Sequence, residues 1–174
     1  MVRIRQIEDG DFAATLAIIN AAAQAYRGVI PPDRWHEPYM SPAELDDEIA
    51  DGVVFWGAEL DGPLSGVMGI QGKGEVTLVR HAYVTPSAWR MGIGTSLLRH
   101  VRGLTAAPIL VGTWAAATWA IDFYRRNGFT LVASGQKDIL LRTYWSIPER
   151  QIETSVVLAD SRWLASRSAS ESNG

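Results

Sequence analysis

The stretch Ala82 to Thr95 reads Ala-Tyr-Val-Thr-Pro-Ser-Ala-Trp-Arg-Met-Gly-Ile-Gly-Thr, and its residue types and order suit the holding of a phosphate. An apolar strand ends at Val84, Thr85-Pro86 breaks it, and Gly92-Ile93-Gly94 opens a helix. Glycines at a strand-to-helix turn let backbone approach a ligand with no Cβ in the way. The free N–H groups of the helix start then point at whatever sits there, and the helix dipole favours an anion. Arg90 adds a fixed positive charge, so the stretch reads as a pyrophosphate cradle. It is not a Walker loop, because no Gly-Lys-Ser/Thr follows. It is not a dinucleotide fingerprint either: Leu97 stands where the third small residue would be, and no acid follows about 20 residues on. A lone Gly-x-Gly is also compatible with an ordinary tight turn.

A second stretch gives the first its meaning. Ala120-Ile121-Asp122-Phe123-Tyr124-Arg125-Arg126-Asn127-Gly128-Phe129 begins 26 residues after Gly94, with one helix and one strand between. Together, in this order, the two stretches resemble the paired signatures of the GNAT-type N-acetyltransferases. These are Gln/Arg-x-x-Gly-x-Gly/Ala after a strand closing in Val-x-Pro, then Ala-x-x-Phe-Tyr-x-x-x-Gly-Phe. The resemblance covers roughly Glu75 to Phe129. It departs from the family at Trp89, which stands where Gln or Arg is usual, and at Ala117, where an Asn often contacts the pantetheine.

The resemblance implies an α/β fold: a mixed, mostly antiparallel central sheet with two splayed parallel strands, flanked by about four helices. Acetyl-CoA would lie in the V between the strand ending at Val84 and the strand Ile109 to Gly112. The backbone of Ala82, Tyr83 and Val84 would bind the pantetheine arm, and Arg90, Met91, Gly92, Ile93, Gly94 and Thr95 would hold the pyrophosphate. Tyr124 would be the general acid. Attack of an amine on a thioester expels a thiolate, and a phenol (pKa roughly 10) held at the sulfur can protonate it (thiol pKa roughly 8.5). The plainer reading is that its ring merely packs.

The base is less marked. Family members often carry a Glu on the central strand where this chain has Leu78. Strand alternation puts Arg80 and His81 on opposite faces, and a β-bulge, common there in the family, would swap them. One of the two, not both, is therefore expected to face the substrate. An imidazole, titrating near 6.5 when unperturbed, can serve as base through water. Arg80 can bind a substrate carboxylate as a fork. Glu75 is a further candidate base through a water chain. For the acceptor pocket the family points to the segment between the first two helices. Here that is Val29 to Met40, with Trp35, His36, Glu37, Tyr39 and Met40. Its aromatic side chains can wall an organic amine, and Glu37 can attract its charge. A loop lid packed on the core is the equal alternative.

The elements that must position these groups follow from pattern. Val2 to Ile7 reads as a strand, and Leu16, Ile19, Ala23 and Tyr26 as one helix face. Ser41-Pro42-Ala43-Glu44 is a capping box that starts a short helix. Asp61-Gly62 marks a hairpin. Glu75 to Val84 is apolar enough for the centre of a sheet. Ala115 to Asn127 reads as a helix, Asp138 to Tyr144 as either helix or strand, and Thr154 to Ala159 as a last strand. Residues 1–160 make one domain, and the serine-rich Ser161 to Gly174 reads as a frayed, flexible tail.

Composition bounds the function. A chain of 174 residues, 47% apolar, can bury one core. A net charge of −3 argues against binding nucleic acid by phosphate neutralisation. No cysteine means no thiol chemistry, and three scattered histidines predict no metal. No apolar run or leader suggests a membrane, so a cytoplasmic protein is expected. The expected activity is transfer of acetyl from acetyl-CoA to a primary amine of a small molecule or amino-acid-like acceptor, without metal. Rival readings are a protein or peptide N-terminus as acceptor, a longer acyl group, or a non-catalytic acyl-CoA-binding module. Relatives often pair, so a homodimer is expected as well.

Overall fold

A computed structural model describes residues 1–172. Its seven strands form one sheet in the order β1-β2-β3-β4-β5-β7-β6. They are β1 (Val2–Gln6), β2 (Val54–Leu60), β3 (Leu64–Lys73), β4 (Val76–Val84), β5 (Ile109–Trp114), β6 (Thr130–Leu131) and β7 (Ser155–Ala159). All neighbours are antiparallel except β4 and β5, which run parallel. The mixed, mostly antiparallel sheet is as expected. Among the described residues the α-helices are more than four: α1 (Phe12–Ala23), α2 (Pro42–Ala50), α3 (Ile93–Gly103), α4 (Thr118–Arg126), α5 (Ser134–Tyr144), α6 (Glu149–Glu153) and α7 (Ser161–Ser172).

The β4–β5 pair positions everything that follows. Register holds for Thr77↔Ile109, Leu78↔Leu110 and Val79↔Val111, and then stops. Beyond Val79 the two strands part. Burial changes at the same place: Val76 to Val79 are buried, and Arg80 to Val84 only half-buried. The other edge of β4 stays paired to β3, but with an irregularity. Val67 faces Tyr83 and Gly69 faces Arg80, so His81 and Ala82 share the single partner Met68. That extra residue is a β-bulge, and His81 takes it up with φ at 51°.

Packing divides the helices. Ile18, Ile19 and Leu45, from α1 and α2, bury against Phe55 and Val67 of β2 and β3. Ile93, Leu97, Leu98 and Val101 of α3 bury with Met68, Val79 and Val111 of the sheet, and Tyr124 of α4 joins them. Leu140 and Leu141 of α5 and Ile152 of α6 cover β5 and β7. The α2 start is the capping box read from sequence: Ser41 Oγ accepts from Glu44 N, and Glu44 Oε2 accepts from Ser41 N.

Ser161–Ser172, expected as a frayed tail, is instead helical. Arg162 anchors its start by donating to the carbonyls of Arg102, Thr105 and Ala107. Asp160 Oδ1 accepts from Ile109 N and Trp163 N. Asn173 and Gly174, the end of that predicted tail, lie outside the described residues. Asp138 to Tyr144 is helix rather than strand, as part of α5.

Candidate functional site

The parted strands open a cleft of about 850 Å³. Its floor includes Ala82, Tyr83 and Val84, its rim Trp89, Arg90 and the glycine loop, and its far wall Trp119, Phe123 and Tyr124 of α4. Gly92 caps α3 in the left-handed region, φ 79°, with nothing within 4 Å of where a Cβ would stand. A side chain there would strain the backbone and jut into open space. Ser96 N bonds Gly92 O, which leaves the N–H groups of Ile93, Gly94 and Thr95 without an acceptor inside the helix. At Gly94 a Cβ would sit 3.3 Å from the Phe123 ring, so the absent side chain keeps α3 and α4 close at the cleft. The loop can therefore receive an anion on bare backbone.

Two details of the loop were not readable from the motif. Met91, expected to help hold the pyrophosphate, is exposed and does not line the cleft. Trp89, in the place usually held by Gln or Arg, donates its indole N–H to Val84 O at 2.7 Å. That carbonyl, expected to serve a ligand, already has a partner. Ala117 is fully buried against Ile30 and Trp114, so it supplies no polar contact where the Asn would stand.

Tyr124 is buried in the cleft wall, edge-on to Phe123 (5.1 Å) and Phe129 (5.7 Å). Its hydroxyl makes no hydrogen bond with any described residue. Burial, and secondarily the nearby Tyr26, push its pKa above that of a free phenol. It therefore stays protonated at neutral pH, as a donor must.

Tyr26 and Tyr83 form a wall with the cleft on one side and a second cavity of about 130 Å³ on the other. That is the space of about four waters at roughly 30 Å³ each, enough for the reacting end of a molecule. Tyr39, Arg80, His81, Trp114 and Trp145 line it. The rings of Tyr26 and Tyr39 lie 5.4 Å apart and those of Tyr26 and Tyr83 6.3 Å apart. Trp114 donates to the Tyr39 hydroxyl at 3.0 Å. Burial raises the pKa of all three phenols, so they too stay neutral.

The bulge overturns the expectation that only one of Arg80 and His81 faces this side. With His81 in the left-handed region, consecutive side chains stay on one side of β4, and both line the second cavity. Both also reach Glu48 of α2. Arg80 Nη2 lies 2.9 Å from Oε1 and 2.8 Å from Oε2, and His81 Nε2 lies 3.1 Å from Oε2. The histidine contact has hydrogen-bond length but poor alignment, both atoms are buried, and His81 Nε2 has no other partner among the described residues. Burial by itself would push the Glu48 carboxyl up. The contact and charge of His81 and the charge of Arg80 together outweigh it and hold the carboxyl below its usual range. Arg80 Nη1 also donates to Gln71 Oε1 at 2.9 Å, so both ends of the expected carboxylate fork are taken.

Other expected residues are placed elsewhere. Glu75 precedes β4 at its far end, six residues from His81 or roughly 20 Å of extended chain. There it accepts from Tyr144 Oη at 3.2 Å, and it cannot act as base at this site. Glu37 faces solvent, 3.6 Å from Arg27 and 3.3 Å from Gln24 Nε2. His36 is exposed, with Nδ1 2.8 Å from Pro38 O, and Trp35 stacks on the ring of Tyr39 at 5.8 Å. Of that segment only Tyr39 lines the second cavity; Trp35, His36 and Glu37 do not, because their polar ends and rings are spent on the loop itself. Sequence reasoning missed Glu48 and the wall role of Tyr26.

Among the described residues no group of three His, Cys, Asp or Glu is placed to hold a metal. No described helix is long and apolar enough to cross a membrane.

Residues 51–131 match a family model described as the acetyltransferase (GNAT) domain. No curated protein sequence matches the chain. Among solved structures, the chain is similar to the PaiA N-acetyltransferase of Thermoplasma acidophilum in complex with coenzyme A. The two are 17% identical with a TM-score of 0.70, over 92% of this chain and 98% of that one. A GNAT-family acetyltransferase of Staphylococcus aureus is also 17% identical, with a TM-score of 0.68, over 93% and 99% of the chains. N-acetylglutamate synthase of Neisseria gonorrhoeae, complexed with coenzyme A and N-acetyl-glutamate, is 21% identical. Its TM-score is 0.61, over 92% of this chain and 35% of the longer one.

Proposed function

We propose that this chain, whose residues 51–131 match the acetyltransferase (GNAT) domain model, moves acetyl from acetyl-CoA to the primary amine of a small acceptor. The observation that carries the reading is the pair of cavities on either side of Tyr26 and Tyr83, one large with an anion-ready loop, one small and aromatic. Acetyl-CoA supplies the acyl group as a thioester. The N–H groups of Ile93, Gly94 and Thr95, with Arg90 at the rim, bind its phosphates. The free edge of β4 at Ala82 and Tyr83 takes the amide-bearing arm, since a parted strand leaves polar groups that need partners.

The amine enters by the second cavity, whose size admits the reacting end while the rest of the acceptor extends outward. His81 takes the proton that the amine loses. Its Nδ1 makes no hydrogen bond to any described residue, and the ring lines the cavity. Tyr124, on the cleft side, gives a proton to the departing sulfur. Burial makes it a weaker acid than a free phenol, so it donates only as charge develops beside it. An amine without a carboxylate next to the nitrogen suits the site better than an amino acid, because the Glu48 carboxylate already pairs with Arg80.

A thiol-release assay with acetyl-CoA and a panel of small amines, amino acids and peptides tests the reading. Release of coenzyme A with small amines is expected. Tight acetyl-CoA binding without release for any acceptor would contradict it and favour a binding module.

A further inference from the structure

Glu48 has no role in the reading above, yet it meets Arg80 and His81, two of the polar side chains that line the second cavity. It comes from α2, a different element from either partner. Arg80 Nη2 reaches both of its oxygens, and His81 Nε2 stands 3.1 Å from Oε2. The histidine ring is held from other sides too. Phe55 of β2 stacks on it at 6.0 Å and 27°, and the bulge fixes its backbone at φ 51°. A non-glycine residue in that region costs free energy, which the surrounding contacts must offset. The charged and titratable groups around it are Glu48 of α2, Arg80 beside it on β4, and the phenols of Tyr26, Tyr39 and Tyr83 across the cavity.

We infer that Glu48 is the positioning residue for His81, fixing the imidazole so that Nε2 carries the proton and Nδ1 is the atom presented to the acceptor amine. This rests on the reading of His81 as base. A neutral imidazole has one N–H, and its tautomer is set by what the other nitrogen meets. A carboxylate within 3.1 Å of Nε2 selects the Nε2–H form and leaves the Nδ1 lone pair as acceptor. When the amine adds to the thioester carbonyl, the N–H proton passes to Nδ1, the C–S bond breaks, and the sulfur takes the proton of Tyr124. The imidazolium left behind faces the Glu48 carboxylate. Arg80 keeps that carboxylate ionised and in place, and the carboxylate then orients the histidine as the acid of a catalytic triad does.

The test is nitrogen-15 NMR of the imidazoles, assignable because the chain has only three histidines. At a pH where His81 is neutral, the wild type is expected to show it protonated on Nε2. In Glu48→Gln the amide can still accept from Arg80 but no longer selects one tautomer. That variant should show a mixed tautomer, an unchanged acetyl-CoA Kd and a kcat lower by about tenfold or more. Glu48→Asp should recover part of the rate. An Nδ1–H tautomer in the wild type overturns the inference, and so does full activity in Glu48→Gln. If the Gln variant does not fold, the wild-type tautomer alone decides. His81→Ala, run beside it, separates the two ideas. An active His81→Ala refutes the base itself, whereas an inactive one beside an active Glu48→Gln refutes only the role of Glu48.

Discussion

The two cavities that share Tyr26 and Tyr83 are built by different means. The larger is a work of backbone: parted strands, a left-handed glycine at 92, and helix N–H groups with no acceptor. The smaller is a work of side chains sent in from β4, β5 and the loops beside α1 and α6, two of them held from behind by Glu48 of α2. A cleft made by backbone needs few residue types and can be named from a short motif. A cavity made by side chains depends on which distant elements meet, so neighbouring sequences can hold unlike molecules in it.

Substitutions can break that contrast, and the largest effect belongs to the small cavity. His81→Ala should lower kcat by about 10² to 10⁴ while acetyl-CoA Kd stays within about twofold. Weakened cofactor binding would mean the cavities are not separate. Next, Tyr124→Phe removes only the hydroxyl from the shared chemistry on the cleft side. Turnover should fall by about 10², again with Kd unchanged, and normal turnover would leave Tyr124 as packing. Gly94→Val acts on the backbone-built side, because its Cβ would press on Phe123 from 3.3 Å. Acetyl-CoA Kd, measured by calorimetry, should rise by about tenfold or more, which is roughly 1.4 kcal/mol. A change in acceptor KM alone would contradict the division.

The smallest effect lies outside both cavities. Arg5 grips Asp11 through two hydrogen bonds of 2.7 and 2.9 Å. That grip, then the Glu8 backbone N–H, lowers the carboxyl from 3.8 to about 2. A lowered carboxylate stabilises the fold above its unfolded pKa. Its contribution is present above pH 3.8 and is lost as pH falls through about 2. In Asp11→Asn the melting temperature at neutral pH should drop by about 2 °C. The part of the acid-induced loss between those values should also flatten. A change in either cavity's function would show unexpected coupling.

The same contrast explains what could be read from the chain. The glycine loop, the Phe-Tyr helix and the capping box follow from local rules of backbone and cap, and the parting of β4 from β5 is implied by the resemblance those motifs carry. The Arg80–His81 arrangement does not, because the parity of a strand changes with one bulged residue and no residue in β4 announces the bulge. Glu48 sits in the run Asp46-Asp47-Glu48, which on a short helix reads as a solvated acidic face. Only the approach of α2 to β4 turns one of those carboxylates inward. Tyr26 fits an apolar helix stripe, and nothing local says that its ring divides two cavities. Conversely, Trp35, His36 and Glu37 look chemical in sequence because the loop that holds them uses those same groups for its own contacts. Ser161–Ser172 is low in apolar residues, and its helix is tied down by Arg162 and the preceding Asp160 instead.

Hydrogen–deuterium exchange with and without acetyl-CoA tests the central claim most directly. The account predicts new protection at the amides of Ala82 to Val84 and of Gly92 to Thr95, with little change at α2 and at Val29 to Met40. Protection appearing at the small cavity while the glycine loop exchanges as before would contradict it.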